Sequence, residues 1–219
     1  MEPEELAPGL RRWTAPHPAW EAGRGWERDV AAYLVETADA MLLLDPLVPA
    51  NDLAFWQWLD AEVERAKKTV AVVLSRAGHF RSSQAMYDRY GAAVYGHERA
   101  RDRLEPVRHY CAVAPGTEAP GGVQALSSRA IYDETPLYFT SHGALGVGDL
   151  IVSVGGELRV WWVAENEAEV REYHEEHVPS LRKWLELPIE HVLVSHGDYV
   201  PGGGAALATA FERPPWVAS

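Results

Sequence analysis

The residues best placed for chemistry fall in one turn. Arg76, His79 and Arg81 lie inside the stretch Val70–Ser83. That stretch opens as an apolar strand (70–74) and closes on serines at the entry of a helix. Ligands of α/β proteins gather at the carboxyl ends of strands, so this turn is a natural site. An imidazole there can ligate a metal ion or carry a proton. A guanidinium can bind a carboxylate or phosphate bidentately.

Other reactive side chains carry weaker signals. Cys111 sits in the apolar run Tyr-Cys-Ala-Val-Ala and reads as a buried structural thiol. His174 and His177 are three apart on a helix that reads as exposed, but His-Glu-Glu-His departs from His-Glu-x-x-His, and no metal is expected there. Asp133-Glu134 lies in a turn signal and reads as solvated. Ser195 and His196 are neighbours at a strand end, where alternate side chains point to opposite faces, so they do not read as a triad. Arg99, Arg101, Arg103 and Arg108 form a basic run that reads as a solvated helix face or loop, with an anion-binding rim as the alternative.

The 219 residues suit one domain, with 47% hydrophobic and 24% charged residues as in ordinary soluble proteins. A formal net charge of −12 argues against a nucleic-acid or anionic-membrane surface. The single cysteine excludes an internal disulfide and a Cys-rich zinc site. The acidic start shows no signal peptide and no apolar run matches a membrane span, so a cytoplasmic location is expected.

These elements must position the turn. Residues 1–27, rich in Pro and Trp, read as an extended segment packed on the domain through its indoles; a partner-binding surface is the alternative. Val30–Val35 and Ala40–Leu44 read as a hairpin ending at Asp45-Pro46, and Asp52–Lys68 as a helix. The strand at 70–74, a helix from Ser82 to Tyr90 and a strand at Ala93–Tyr95 complete β-α-β-α-β with parallel pairing. Short strands follow at Val123–Leu126, Leu137–Thr140, Ala144–Val147 and Leu150–Val154, with Ser141–Gly143 and Gly148-Asp149 as hairpin turns. A helix at Glu165–Leu185, a strand at His191–Ser195 and a helix at Ala205–Phe211 close the chain. No G-x-G-x-x-G opens a helix, and no G-x-S-x-G elbow occurs.

Strand, Ser75, polar turn and helix, then Tyr90–His97, resemble the metal-binding segment of the metallo-β-lactamase superfamily. Leu43-Leu44-Asp45-Pro46 resembles its early strand, whose Asp lies behind the metal turn; a turn-capping Asp45 is the alternative. Leu145–Asp149 resembles its Gly-Asp turn, and Val192–Gly197 its last ligand strand. The resemblance spans roughly residues 28–212 and implies a four-layer αββα sandwich.

Carried over residue by residue, the family's His-x-His-x-Asp-His positions fall on Arg76, Gly78, Phe80 and Arg81, none of them a ligand. Its middle histidine has no counterpart in Gly121–Arg129. Asp149 and His196 do match ligand positions. With His79, one residue out of register, they form a feasible mononuclear site for Zn²⁺, Fe²⁺ or Mn²⁺. The resemblance then implies hydrolysis of an ester, thioester or amide, with Arg76 or Arg81 holding an anionic group or stabilising an oxyanion. Two alternatives stay open. Arg81 pairs with Asp149 in a metal-free pocket for an anionic small molecule, or the pair is a structural remnant. The oligomeric state is not readable.

Overall fold

The computed structural model describes residues 3–23, 25–104, 109–128 and 133–217. A seven-stranded sheet runs in chain order: β1 (Glu4–Ala7), β2 (Leu10–Pro16), β3 (Asp29–Glu36), β4 (Ala40–Leu44), β5 (Thr69–Val73), β6 (Ala93–Gly96) and β7 (Tyr110–Ala112). It is antiparallel up to β4 and parallel beyond. The Trp-rich N-terminal segment is therefore not merely laid over the domain. Its strands extend the sheet, and the indole of Trp13, buried on the outer face, donates to the Leu47 carbonyl at 2.8 Å.

The parallel strands need crossovers, and two helices supply them. α1 (Leu53–Ala66) is capped by Asp52, whose carboxylate accepts the Phe55 N–H. α2 (Ser83–Tyr90) follows the polar turn; Ser82 precedes it but accepts instead from Val48 N–H, so the expected side-chain cap is not formed.

The second sheet starts with β8 (Glu118–Ala119), β9 (Val123–Ala125), β10 (Leu137–Phe139) and β11 (Ala144–Val147). The chain then leaves it for a two-stranded ribbon, β12 (Ile151–Val154) and β13 (Glu157–Val160), and returns as β14 (His191–Val194), parallel to β11. Gly148-Asp149 is thus not the turn of a hairpin: it carries the chain out of the sheet. Leu137–Phe139 and Ala144–Val147 pair as expected.

Between β13 and β14 the helical stretch starts with α3 (Glu167–Glu172), passes through a π turn at Tyr173–His177, and continues as α4 (Val178–Arg182). α5 (Gly203–Ala210) ends the fold. Three apolar layers hold the sandwich together: α1 and α2 on the first sheet, sheet on sheet, and the second sheet on the π turn, α4 and α5. The order is α, β, β, α, as expected.

Two expectations of burial are corrected. Cys111 is exposed, because β7 is the outermost strand of its sheet. His177, expected on an exposed helix, is buried and stacks on Trp162 at 4.7 Å between ring centroids. Arg99, Arg101 and Arg103 lie on a short exposed 3₁₀ turn; Arg108 and Arg129 fall outside the described residues. No helix among the described residues is long and apolar enough to cross a membrane.

Candidate metal centre

Four loops at the carboxyl ends of β4, β5, β11 and β14 meet at one point. Asp45 ends β4 in a left-handed conformation (φ 47°) and is buried beneath the polar turn. Its carboxylate accepts the Ser75 N–H at 2.9 Å, the Ser75 hydroxyl, and His79 Nδ1 at 2.9 Å. Of the two readings open for Asp45, the one that places it behind the polar turn is realised. With Nδ1 donating to Asp45, His79 presents the bare Nε2 to the pocket.

The turn after β5 is clamped to the segment before β10. Ala77 N–H donates to the Asp133 carbonyl at 2.8 Å, and Thr135 N–H to the Ser75 carbonyl at 2.7 Å. This brings in Glu134, which the sequence reading left in solvent. It is buried, and its carboxyl accepts the N–H groups of Gly148, Asp149 and Leu150 at 2.8, 2.9 and 3.2 Å. Burial pushes the Glu134 carboxyl up to about 8, against the pull of those N–H groups and of Arg76. Gly148 has no room for a side chain: a Cβ would lie 3.0 Å from Ser75 Oγ and 3.1 Å from both Arg76 Cβ and Glu134 Cδ.

Glu134 thereby fixes Asp149. One Asp149 oxygen, Oδ2, pairs with Arg76, whose Nε also bonds Asp133 Oδ1 at 3.2 Å. The other, Oδ1, lies 3.3 Å from His79 Nε2 and 3.2 Å from His196 Nε2. It is buried without a hydrogen-bond partner of good geometry among the described residues. His79, Asp149 and His196 can each offer a ligand atom, all within 4.8 Å of one another. The donor set of two imidazole nitrogens and one carboxylate suits a single Zn²⁺, Fe²⁺ or Mn²⁺. Its orphaned carboxylate oxygen is the group such an ion would satisfy.

Electrostatics favour neutral imidazoles. Burial, reinforced by Arg81, lowers the His79 pKa to about 4 against the opposing Asp45 carboxylate. Burial, then Arg81 and Arg76, lowers His196 to about 4 as well. Burial also opposes ionisation of Asp45, but His79, Arg81 and Ser75 together hold its carboxyl below the usual range.

The two arginines divide the work differently from the sequence reading. Arg76, not Arg81, pairs with Asp149. Arg81 is held by main chain, donating to the carbonyls of Ala31 and Asp45, both at 3.1 Å. Its own backbone has a positive φ of 32°, and its side chain lines the same cavity as the trio. Ser195 and His196 both face the centre, because the strand ends at Val194 and ordinary alternation stops there. Ser195 Oγ lies 3.3 Å from Asp45 Oδ2 and from His79 Nδ1, on the side of the imidazole away from the pocket, so it is no nucleophile. Above the trio, His17, Trp26 and Trp161 help line a cavity of about 260 Å³.

This arrangement can be set beside solved structures. DIM-1 metallo-β-lactamase is similar with a TM-score of 0.67 and 12% identity, over 96% of this chain and 94% of that one. The chain has the metallo-β-lactamase fold. A metallo-β-lactamase family protein from Thermus thermophilus matches with a TM-score of 0.60 and 17% identity, over 95% of this chain and 78% of the other. Rubredoxin oxygen:oxidoreductase of Desulfovibrio gigas matches at 0.64 and 15% identity, over 96% of this chain and 60% of that one. No protein-family model and no curated protein sequence matches the chain. His79, Asp149 and His196, expected as a trio, are brought together in the structure.

Proposed function

We propose that the chain is a mononuclear metal-dependent hydrolase of a small ester, thioester or amide. One observation carries this: His79 Nε2, His196 Nε2 and the unpartnered Asp149 Oδ1 converge in a buried pocket with Asp45 behind His79. Burying a carboxylate oxygen without a partner costs roughly 1–3 kcal/mol, a cost that a cation relieves. A divalent ion held there supplies Lewis acidity toward a carbonyl and a nucleophile from water near neutral pH.

The chain's own groups do the rest. Asp45 fixes the tautomer and tilt of His79. Arg76, with about a third of its side chain open to solvent, offers a cation to a developing oxyanion or to an anionic group of the substrate. Arg81, which also lines the pocket, adds positive potential, and Trp26 and Trp161 shield the pocket from bulk water.

The Arg76–Asp149 pair also supports a second reading, a metal-free pocket that binds an anionic small molecule. Metal titration of untagged protein with Zn²⁺, Mn²⁺ and Fe²⁺, read by calorimetry and mass spectrometry, separates the two. The hydrolase reading expects one tightly held ion per chain, its loss in His196→Ala, and turnover of aryl esters or thioesters only in loaded protein. Absence of a bound ion under every loading condition overturns it.

A further inference from the structure

Beside the metal centre, on the other side of His196, lies a second cavity of about 380 Å³. Trp26 and Trp216 form its walls, and Val152 and Ser153 of β12 line it too. Trp216 is pinned by main chain: it donates to Val160 and accepts from Trp162 N–H. Two polar atoms in the lining residues, Ser153 Oγ and His196 Nδ1, are buried and lack hydrogen-bond partners among the described residues. Ser153 as a residue is only 6% exposed. Among the described residues, Glu27 is the one carboxyl side chain lining the cavity, and no Lys or Arg lines it.

We infer that this cavity is the recognition subsite for an uncharged aromatic group of the substrate that carries a hydrogen-bond acceptor, a deepening that rests on the hydrolase reading of the neighbouring trio. Indole walls favour a flat ring over an aliphatic one by stacking. When His196 uses Nε2 as a ligand, its proton sits on Nδ1, and this donor needs an acceptor. In most metal sites a carboxylate or carbonyl of the protein takes that role. Among the described residues no protein group does, and Ser153 adds a second donor, its hydroxyl. A carbonyl or ether oxygen on the ring is the kind of acceptor these donors lack. An anionic ring is disfavoured by Glu27. Apolar walls with a few convergent polar groups are the usual make-up of a small-molecule site.

The test is ligand-observed fluorine NMR on the full chain, stripped and metal-loaded, with para-fluorobenzamide as the neutral probe and para-fluorobenzoate as the anionic one. Competition by cyclohexanecarboxamide measures the value of the ring. The expected result is benzamide binding at least tenfold tighter than either comparator. Trp216→Ala and Ser153→Ala should each weaken it at least fivefold, Glu27→Gln should narrow the preference over benzoate, and Trp56→Ala on the far side of the fold should change nothing. Equal binding of benzoate, or unchanged affinity in both Trp216→Ala and Ser153→Ala, overturns the inference. Benzamide binding without metal uptake or turnover would sink the hydrolase reading and leave the subsite. Turnover indifferent to the aromatic group, with no benzamide binding, would do the reverse.

Discussion

Asp45→Asn separates the ligating role of His79 from its packing. The carboxylate takes the Ser75 N–H on Oδ1, and on Oδ2 the Ser75 hydroxyl, His79 Nδ1 and the Ser195 hydroxyl. A carboxamide that keeps its oxygen toward Ser75 N–H turns an NH₂ toward three groups that now donate. Both hydroxyls can rotate to accept. The imidazole accepts only by moving its proton to Nε2, which then points a donor at Asp149 and has no lone pair for an ion. Losing such an orienting carboxylate costs about 10–100-fold in metal affinity. At a metal concentration of about 100 times the wild-type Kd, a hundredfold weaker variant forfeits about 2 kcal/mol of metal-linked stability. For a chain of this size that is roughly 4–8 °C of Tm. The variant also removes a carboxylate charge that acts on the partly buried Arg81, so the unloaded protein should melt somewhat lower as well. The assay is thermal unfolding by circular dichroism, in chelator and in excess Zn²⁺. If Asp45→Asn keeps the full wild-type Tm increment on adding metal, the tautomer argument is wrong.

Three further outcomes follow from the same geometry. Arg76→Gln removes the cation that pairs with Asp149 and should tighten metal binding by roughly tenfold while lowering turnover; weaker binding in calorimetry would show that Arg76 braces Asp149 instead. Glu134→Ala strips the acceptor from three buried N–H groups, so we expect a loss of at least ~3 kcal/mol and faster amide exchange at 148–150; unchanged exchange there would contradict the clamp. Burial lowers the His177 pKa from 6.5 to about 4, so between those values the unfolded chain binds a proton that the folded chain does not. Its share of stability is complete above pH 6.5 and fades as pH falls toward 4. His177→Phe should flatten that acid limb in denaturant melts at stepped pH, and an unaltered slope would refute the assignment.

Much of the fold was legible because it is written locally. The apolar run at 70–74, the helix spacing of Leu53, Phe55, Trp56 and Leu59, and Pro46 after a strand each constrain their own neighbourhood. That Asp149 and His196 come together was legible because each follows a recognisable strand end, and those strands pair side by side. What was not legible depends on pairings across the sequence. Nothing near Glu134 announces that three N–H groups some fifteen residues away will aim at it. The choice between Arg76 and Arg81 as partner of Asp149 turns on one positive φ in a turn, which spacing does not encode. Cys111 has an apolar context, but edge position is a property of the whole sheet. Ser195 looked excluded by strand alternation, a rule that lapses once the strand ends.

The guanidinium of Arg76, set between Asp133 and Asp149, is a positive charge that belongs to the polypeptide itself. Unlike an ion, it is present as soon as the chain is made, does not exchange with other cations, and is not removed by a chelator. The acidic cluster is therefore partly neutralised by the chain itself. If the proposed site holds an ion, its loss would not leave Asp133 and Asp149 as unbalanced carboxylates.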